Sequence, residues 1–339
     1  MDILSDILGS FQNGKELINS EAEPFFDALI AEINEQLLAD VLTAWEQKGT
    51  TENELFALAS IMRKRCLVVN TRHETFVDAV GTGGSRAKTF NVSTAAAFVA
   101  AGAGVTVAKH GNRAATSNSG SADVLTALGV NPAVDAAKAG QCLDEIGICF
   151  MFAPNFHSLS PILGKVRRSL GFPTMFNNLG PLCNPADAPH QVIGVWKDDL
   201  VEITANVLAR LGTKKSWVVH GSDGLDEITL NGTTKVAEID GESVNVVEIS
   251  PSYFGLESSI MTDVRVSTPD ESAALIREVL SGKSQNPDAV NLVLINAAAA
   301  IHVTSRESDI LTAIEKAKES IRSGAAAEKL QQLGALTNK

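Results

Sequence analysis

Residues 76–113 read FVDAVGTGGSRAKTFNVSTAAAFVAAGAGVTVAKHGNR, and the order of textures in this stretch decides the fold. A short run ending in valine meets a glycine cluster, Gly81-Thr82-Gly83-Gly84-Ser85. Asn91, Ser93 and Thr94 then open an alanine-rich helical segment, and a second β-branched run closes at Lys109-His110-Gly111-Asn112-Arg113. The same rhythm continues through GICFMFAP (147–154), HQVIGVW (190–196) and SWVVHG (216–221), with alanine- and leucine-rich helical patterns between. Strands that alternate with helices imply an α/β fold with a central, mostly parallel sheet.

Outward from this unit the texture changes on both sides. TKVAEIDGESVNVVEIS (234–250) alternates about an Asp-Gly pair and reads as a β-hairpin. After 269 the chain returns to helices, including the alanine-rich 288–303. Residues 1–70 read as helices only: Ile30, Ile33, Leu37, Leu38, Val41 and Leu42 fall on one helical face, and Leu55, Leu58, Ile61 and Met62 repeat the pattern behind a capping Thr-Thr-Glu-Asn start. The expected organisation is a small all-helical N-terminal domain, 1–70, followed by a larger α/β domain, 71–339.

The charge pattern bears on function. The chain holds 40 acidic and 28 basic residues among 339, a net charge of −12, which opposes general affinity for nucleic acid or an anionic membrane. Yet no carboxylate lies between Asp78 and Asp123, whereas Arg86, Lys88, Lys109 and Arg113 do. An anionic ligand is expected there. MDILSDILGS lacks the basic region of an export signal, and the apolar stretches 92–108 and 292–303 fall short of the roughly 18 residues of a spanning helix. Cys66, Cys142, Cys149 and Cys183 show no metal-type spacing, which suits reduced thiols in a cytoplasmic protein.

Several motifs carry candidate chemistry. Glycines after a strand expose backbone N–H groups, and the hydroxyls and helix start at Asn91, Ser93 and Thr94 converge on them, as a phosphate cradle requires; the glycines alone would read as an ordinary turn. Lys109 ends the next strand, where ligands of parallel sheets gather, and is suited to holding a phosphate; His110 is equally a pocket residue or a structural one, and Asn112 is a further pocket candidate. SGSADVLTALG (119–129), with Ser121, is a second serine-led helix start. In His220-Gly221-Ser222-Asp223-Gly224-Leu225-Asp226-Glu227 the adjacent carboxylates form either a solvated turn or a site for Mg²⁺ bridged to phosphate. Arg167-Arg168 is either an exposed helix cation pair or a clamp for a carboxylate. No Cys/His or Ser/His/Asp spacing compels nucleophilic catalysis.

GTGGS, NVST, KHGNRAATSNSGSADVL, FMFAPNFH, VRRSLG, FNNLGPLCNP and GLDEI, in this order, give a chain that resembles the anthranilate phosphoribosyltransferases from about residue 5 to 335. The resemblance implies a homodimer joined through the helical domain, which would include a short insertion near 170–190. It also implies Mg²⁺-dependent transfer of phosphoribosyl from phosphoribosyl pyrophosphate (PRPP) to the amine of anthranilate. Gly81, Gly84, Asn91, Ser93, Thr94 and Lys109 would bind PRPP, with Gly83, Ser85, Thr89, Gly111 and Ser121 in the same substrate-binding set. Ser93 would lie near one Mg²⁺, and Asp226 and Glu227 would hold a second. Asn112, Arg167 and the Gly180-Pro181 turn would receive anthranilate, with Arg167 facing its carboxylate and His110 at the pocket's edge. Ser85, Thr116 and Pro173 depart from the family pattern, which usually has Asp, Ser and Arg there. Catalysis would rest on electrostatics and positioning, without a general base. The alternatives are a pyrimidine nucleoside phosphorylase-like enzyme and a non-catalytic relative that binds nucleic acid or another anion.

Overall fold

The structure, a computed structural model, describes residues 3–85, 89–113, 120–305 and 309–339. Four helices open the chain: α1 (Ile3–Gln12), α2 (Asn19–Ala31), α3 (Glu35–Lys48) and α4 (Glu52–Arg65). The Thr51 hydroxyl accepts the Glu54 N–H and the Glu54 carboxylate accepts the Thr51 N–H, the reciprocal cap expected at that start. The apolar face from Ile30 to Leu42 is not one helix. The Glu32 carboxylate accepts the N–H groups of Ile33 and Asn34, and Asn34 Oδ1 accepts those of Gln36 and Leu37. These side chains compete with helix continuation and start a new helix instead, which leaves Ile33 76% exposed.

Seven strands form one sheet: β1 (Val77–Gly81), β2 (Val107–Gly111), β3 (Ile148–Phe152), β4 (His190–Gly194), β5 (Lys215–Gly221), β6 (Thr234–Asp240) and β7 (Ser243–Ile249). Their order is β3-β2-β1-β4-β5-β6-β7; β1 to β5 run parallel, and β6 and β7 add the antiparallel hairpin expected from its alternation. Its two-residue loop is Gly241-Glu242, with Gly241 at φ 60°. Helix α5 (Val92–Gly102) joins β1 to β2. Helices α6 (Ser121–Ala127) and α7 (Ala136–Ile146) lead to β3, and α8 (Ala153–Phe156), α9 (Pro161–Leu170) and α10 (Met175–Leu179) lead to β4. Helix α11 (Leu200–Arg210) precedes β5, and α12 (Pro269–Leu280), α13 (Pro287–Thr304), α14 (Ile310–Arg322) and α15 (Ala325–Thr337) complete the chain.

The sheet's two faces bury separate apolar clusters. Helix α5 and helices α12 to α15 cover one face. On the other, α11 packs on the sheet and on α4, while α9 and α10 lie against the N-terminal helices, so that Leu163, Val166 and Leu179 share a core with Phe11, Phe25 and Trp45. Helix α13, with 18 residues, is longer than its apolar stretch suggested and has the length and composition to cross a membrane, but 67% of it is buried inside the fold. The chain leaves β1 for β2 on one side and returns as β4 on the other. That reversal opens a crevice at the carboxyl ends of β1 and β4, where parallel sheets bind ligands.

Candidate active site

At this switch point a cleft of about 630 Å³ extends from the glycine loop after β1 to helix α9. Two close approaches explain its glycines. A Cβ on Gly194 would lie 1.7 Å from the Asp226 carbonyl oxygen, and one on Gly81 would lie 2.8 Å from the Asp226 carboxylate. Small residues at the ends of both strands therefore let the loop after β5 enter the crevice. Gly84, at φ 97°, presents its bare Cα to Pro173, where a Cβ would meet the ring at 2.5 Å.

The carboxylate pair reaches into the cradle. Asp226 Oδ2 accepts the Gly83 N–H at 2.9 Å, and Glu227 Oε1 accepts the Ser93 N–H at 3.1 Å, at the positive end of α5. Asn91 caps that helix by accepting the Thr94 N–H at 3.1 Å. Lys109 Nζ donates to Ser93 Oγ at 3.2 Å and to the Ala79 carbonyl. Burial pushes both acids above the usual carboxylate range, Glu227 furthest because Asp226 adds like charge, while Ser93 and Lys109 oppose the rise. Burial draws Lys109 down to about 8, against the pull of Asp78 and Glu227. Glu227 Oε2 is enclosed and has no protein partner. Two adjacent half-buried acids, with one oxygen unengaged, fit a divalent cation. Among the described residues no third acid, imidazole or thiol joins them, so the remaining ligands of such a cation would be substrate oxygens or water. Asp223 serves the loop itself, accepting the Leu225 N–H and the Thr229 hydroxyl and so shaping the turn.

The structure gathers Gly81, Gly83, Gly84, Ser85, Thr89, Asn91, Ser93, Lys109, His110, Gly111, Asn112, Ser121, Arg167, Gly180, Pro181, Asp226 and Glu227 around this cleft. Thr94 is not among its walls: its side chain is buried behind them, 1% exposed. The Ser85 hydroxyl donates to the Gly224 carbonyl at 3.0 Å, tying the glycine loop to the acidic loop. Ser121 Oγ approaches so closely that a Cβ on Gly111 would lie 2.2 Å away, which accounts for glycine in the KHGN segment. Arg113 does not offer a free charge, because Asp123 pairs with it at 2.9 Å. Arg86, Lys88 and Thr116, and the Ser119 start of the second helix signal, lie outside the described residues.

The far wall is different in kind. His110 lines the cleft and is itself buried, 3% exposed, with its ring 5.1 Å from that of His157. Burial holds His110 down at about 3, with further repulsion from His157 and Lys109, and holds His157 at about 4; both are neutral imidazoles at neutral pH. Arg167 stacks over Phe176 at 5.0 Å and donates to Asn177 Oδ1 at 3.4 Å; among the described residues no carboxylate pairs with it. Burial lowers it only to about 10, so it stays charged. His157, Phe176, Asn177 and Met62 also line the cleft, beyond the set that the sequence indicates. His157 lies within FMFAPNFH, past the end of an expected strand, and that position is a usable signal. Met62 comes from the helical region and carries none.

Known proteins resemble this chain along its whole length. A family model described as glycosyl transferase family, a/b domain, matches residues 73–327. An anthranilate phosphoribosyltransferase of Moorella thermoacetica is 44% identical over 321 residues, 94% of each chain. The crystal structure of the Thermus thermophilus anthranilate phosphoribosyltransferase superposes with a TM-score of 0.89 at 34% identity, covering 100% of both chains. That of the Saccharomyces cerevisiae enzyme in complex with PRPP and Mg superposes with a TM-score of 0.88 at 29% identity, covering 99% of this chain and 98% of that one.

Proposed function

From the premise that this chain belongs to the anthranilate phosphoribosyltransferase family, we propose that the cleft at the β1/β4 crevice is where it joins its two substrates. The enzyme transfers the phosphoribosyl group of PRPP to the amine of anthranilate and releases pyrophosphate, a step of tryptophan biosynthesis. In this reading the glycine loop, Asn91, Ser93 and Lys109 receive the phosphates of PRPP. Asp226 and Glu227, with Ser93 nearby, hold Mg²⁺, which when bound neutralises charge on the departing pyrophosphate. Arg167 receives the anthranilate carboxylate, and the Gly180-Pro181 turn, Asn112 and the neutral His110 border the ring.

The reaction then needs little proton chemistry from the protein. As the glycosidic bond to pyrophosphate breaks, the ribose becomes oxocarbenium-like and the aniline nitrogen attacks from the opposite face. The protein orients both partners and excludes water, and no side chain is assigned as general base. One observation carries the reading: the acid pair contacts the N–H groups of Gly83 and Ser93, which puts cation-binding and phosphate-binding groups on one spot. Anthranilate fluorescence is the test. It should fall only with PRPP and Mg²⁺ both present, and undiminished turnover in excess chelator would refute the metal assignment.

The same reading gives the chain a helical domain, residues 1–70 with an insertion near 170–190, and an α/β domain, 71–339. It makes the helical domain the joint of a homodimer. The packing of α9 and α10 on α3, and the exposed Ile18 and Ile33 in that region, support it. A cytoplasmic location accords with the four free cysteines. Sedimentation equilibrium tests the dimer.

A further inference from the structure

Arg167 differs from several other arginines of the chain. Arg63, Arg65, Arg113 and Arg210 each pair with a carboxylate within 3 Å. Arg167 instead has the amide oxygen of Asn177 at 3.4 Å and the face of Phe176. Asn177 is 9% exposed and both ends of its amide are engaged. Its Oδ1 also accepts the Thr174 N–H at 3.1 Å, which fixes the amide against the start of α10. Its Nδ2 donates to the carbonyl of Thr82 at 3.1 Å, in the middle of the glycine loop. One side chain thus touches the cation on the far wall and the backbone of the phosphate cradle.

We propose that Asn177 is a positioning residue that holds the acceptor-binding arginine and the donor-binding glycine loop in register with each other. The inference rests on the reading of Arg167 as the anthranilate carboxylate's partner. A neutral amide has two properties that this place needs. Its oxygen orients the guanidinium without cancelling its charge, so the charge is left for the substrate. Its nitrogen holds the loop through the Thr82 carbonyl, so the Gly83 N–H beside it keeps its direction. A carboxylate of the same shape would fail on both counts: it would satisfy Arg167 internally, and it would set an acceptor against the Thr82 carbonyl, where a donor is required.

The test is steady-state kinetics of the full chain with PRPP and Mg²⁺, comparing Asn177→Asp, Arg167→Ala and the double variant. Asn177→Asp is expected to raise KM for anthranilate roughly tenfold or more, because an internal anion competes with the substrate's for one arginine. It should also raise KM for PRPP by about threefold to tenfold, for the lost bond to Thr82. Arg167→Ala should raise KM for anthranilate alone. In the double variant KM for anthranilate should be no worse than in Arg167→Ala. A residue that only maintained the fold would lower kcat with the active fraction and leave both KM values in place, and that result for Asn177→Asp overturns the proposal. So does a rise confined to one substrate. If Asn177→Ala, which removes the bridge without adding charge, leaves both KM values at the unsubstituted level, the proposal also falls. Should Arg167→Ala itself leave KM for anthranilate unchanged, the reading of Arg167 fails first and the inference with it.

Discussion

Two glutamates, one enclosed in the helical region and one half-buried in the cleft, show what separates a structural acid from a working one. Glu54 on α4 is fully enclosed, and its two oxygens accept from the N–H groups of Leu17 and Thr51 at 2.8 and 2.9 Å, from Lys48 Nζ at 2.8 Å and from the Trp45 indole at 3.3 Å. Both oxygens have donors and the charge has a cation. Glu227 accepts one N–H, from Ser93, stands beside Asp226 and leaves Oε2 unengaged. The first arrangement commits its donors to the fold. The second leaves a desolvated carboxyl oxygen that a ligand can engage, which is how perturbed acids mark functional sites.

The sharpest way to break this contrast is to remove each acid and ask which property fails. Glu54→Ala takes the counter-ion from Lys48 and the acceptor from the Leu17, Thr51 and Trp45 donors, and is expected to destabilise the protein by about 3–5 kcal/mol, read as a lowered urea midpoint, with kcat of the folded fraction unchanged. Replacing Asp226 by Asn and Glu227 by Gln together should do the reverse. Turnover falls by about 10²- to 10³-fold, while thermal stability without Mg²⁺ is equal or higher, because a desolvated pair of adjacent acids is gone. Loss of stability comparable to that of Glu54→Ala would show that the pair is structural after all.

A third variant sharpens the difference between the walls of the cleft. Arg167→Ala removes a charge-assisted bond worth about 1.5–3 kcal/mol, so anthranilate use should weaken by roughly ten- to a hundredfold, with PRPP binding by calorimetry little changed. Collapse of PRPP binding would put Arg167 on the wrong wall.

The smallest effect concerns Asp78, an acid intermediate between the two types. It is fully buried and accepts from Asn184 Nδ2 at 2.8 Å and from the His110 N–H at 3.1 Å, yet burial outweighs these partners and the influence of Lys109 and raises it to about 6. A raised carboxyl binds its proton more tightly in the folded state. Stability is therefore expected to fall as the pH rises from about 4 towards about 6, and to recover as it drops. Thermal midpoints across that range should decline in the parent and flatten in Asp78→Asn; identical slopes would mean that another group carries the dependence.

Much of this was legible in the sequence because it is written in neighbours. The strand-helix rhythm, the Thr51 cap, the hairpin after Thr234 and the carboxylate-free window each depend on residues a few places apart. Local reading erred where two local signals competed: the apolar face of 30–42 favoured one helix, and the Glu32 and Asn34 side chains divided it. It erred again on Arg113, whose partner Asp123 stands just outside the window that drew attention to it.

What the sequence by itself determined was therefore the class of fold and the chemistry in stock: a glycine cradle with a helix start, a lysine at a strand end, an acid pair and an arginine. Only the tertiary structure decided that Asp226 bonds to Gly83 across 143 positions, that Asn177 spans from Arg167 to Thr82, and that His110 and His157 are neutral within one wall. The physical reason is the strand order. Because β4 returns beside β1, segments distant in the chain share one crevice, and the desolvation and like-charge contact that tune these groups exist only once the sheet has brought them together.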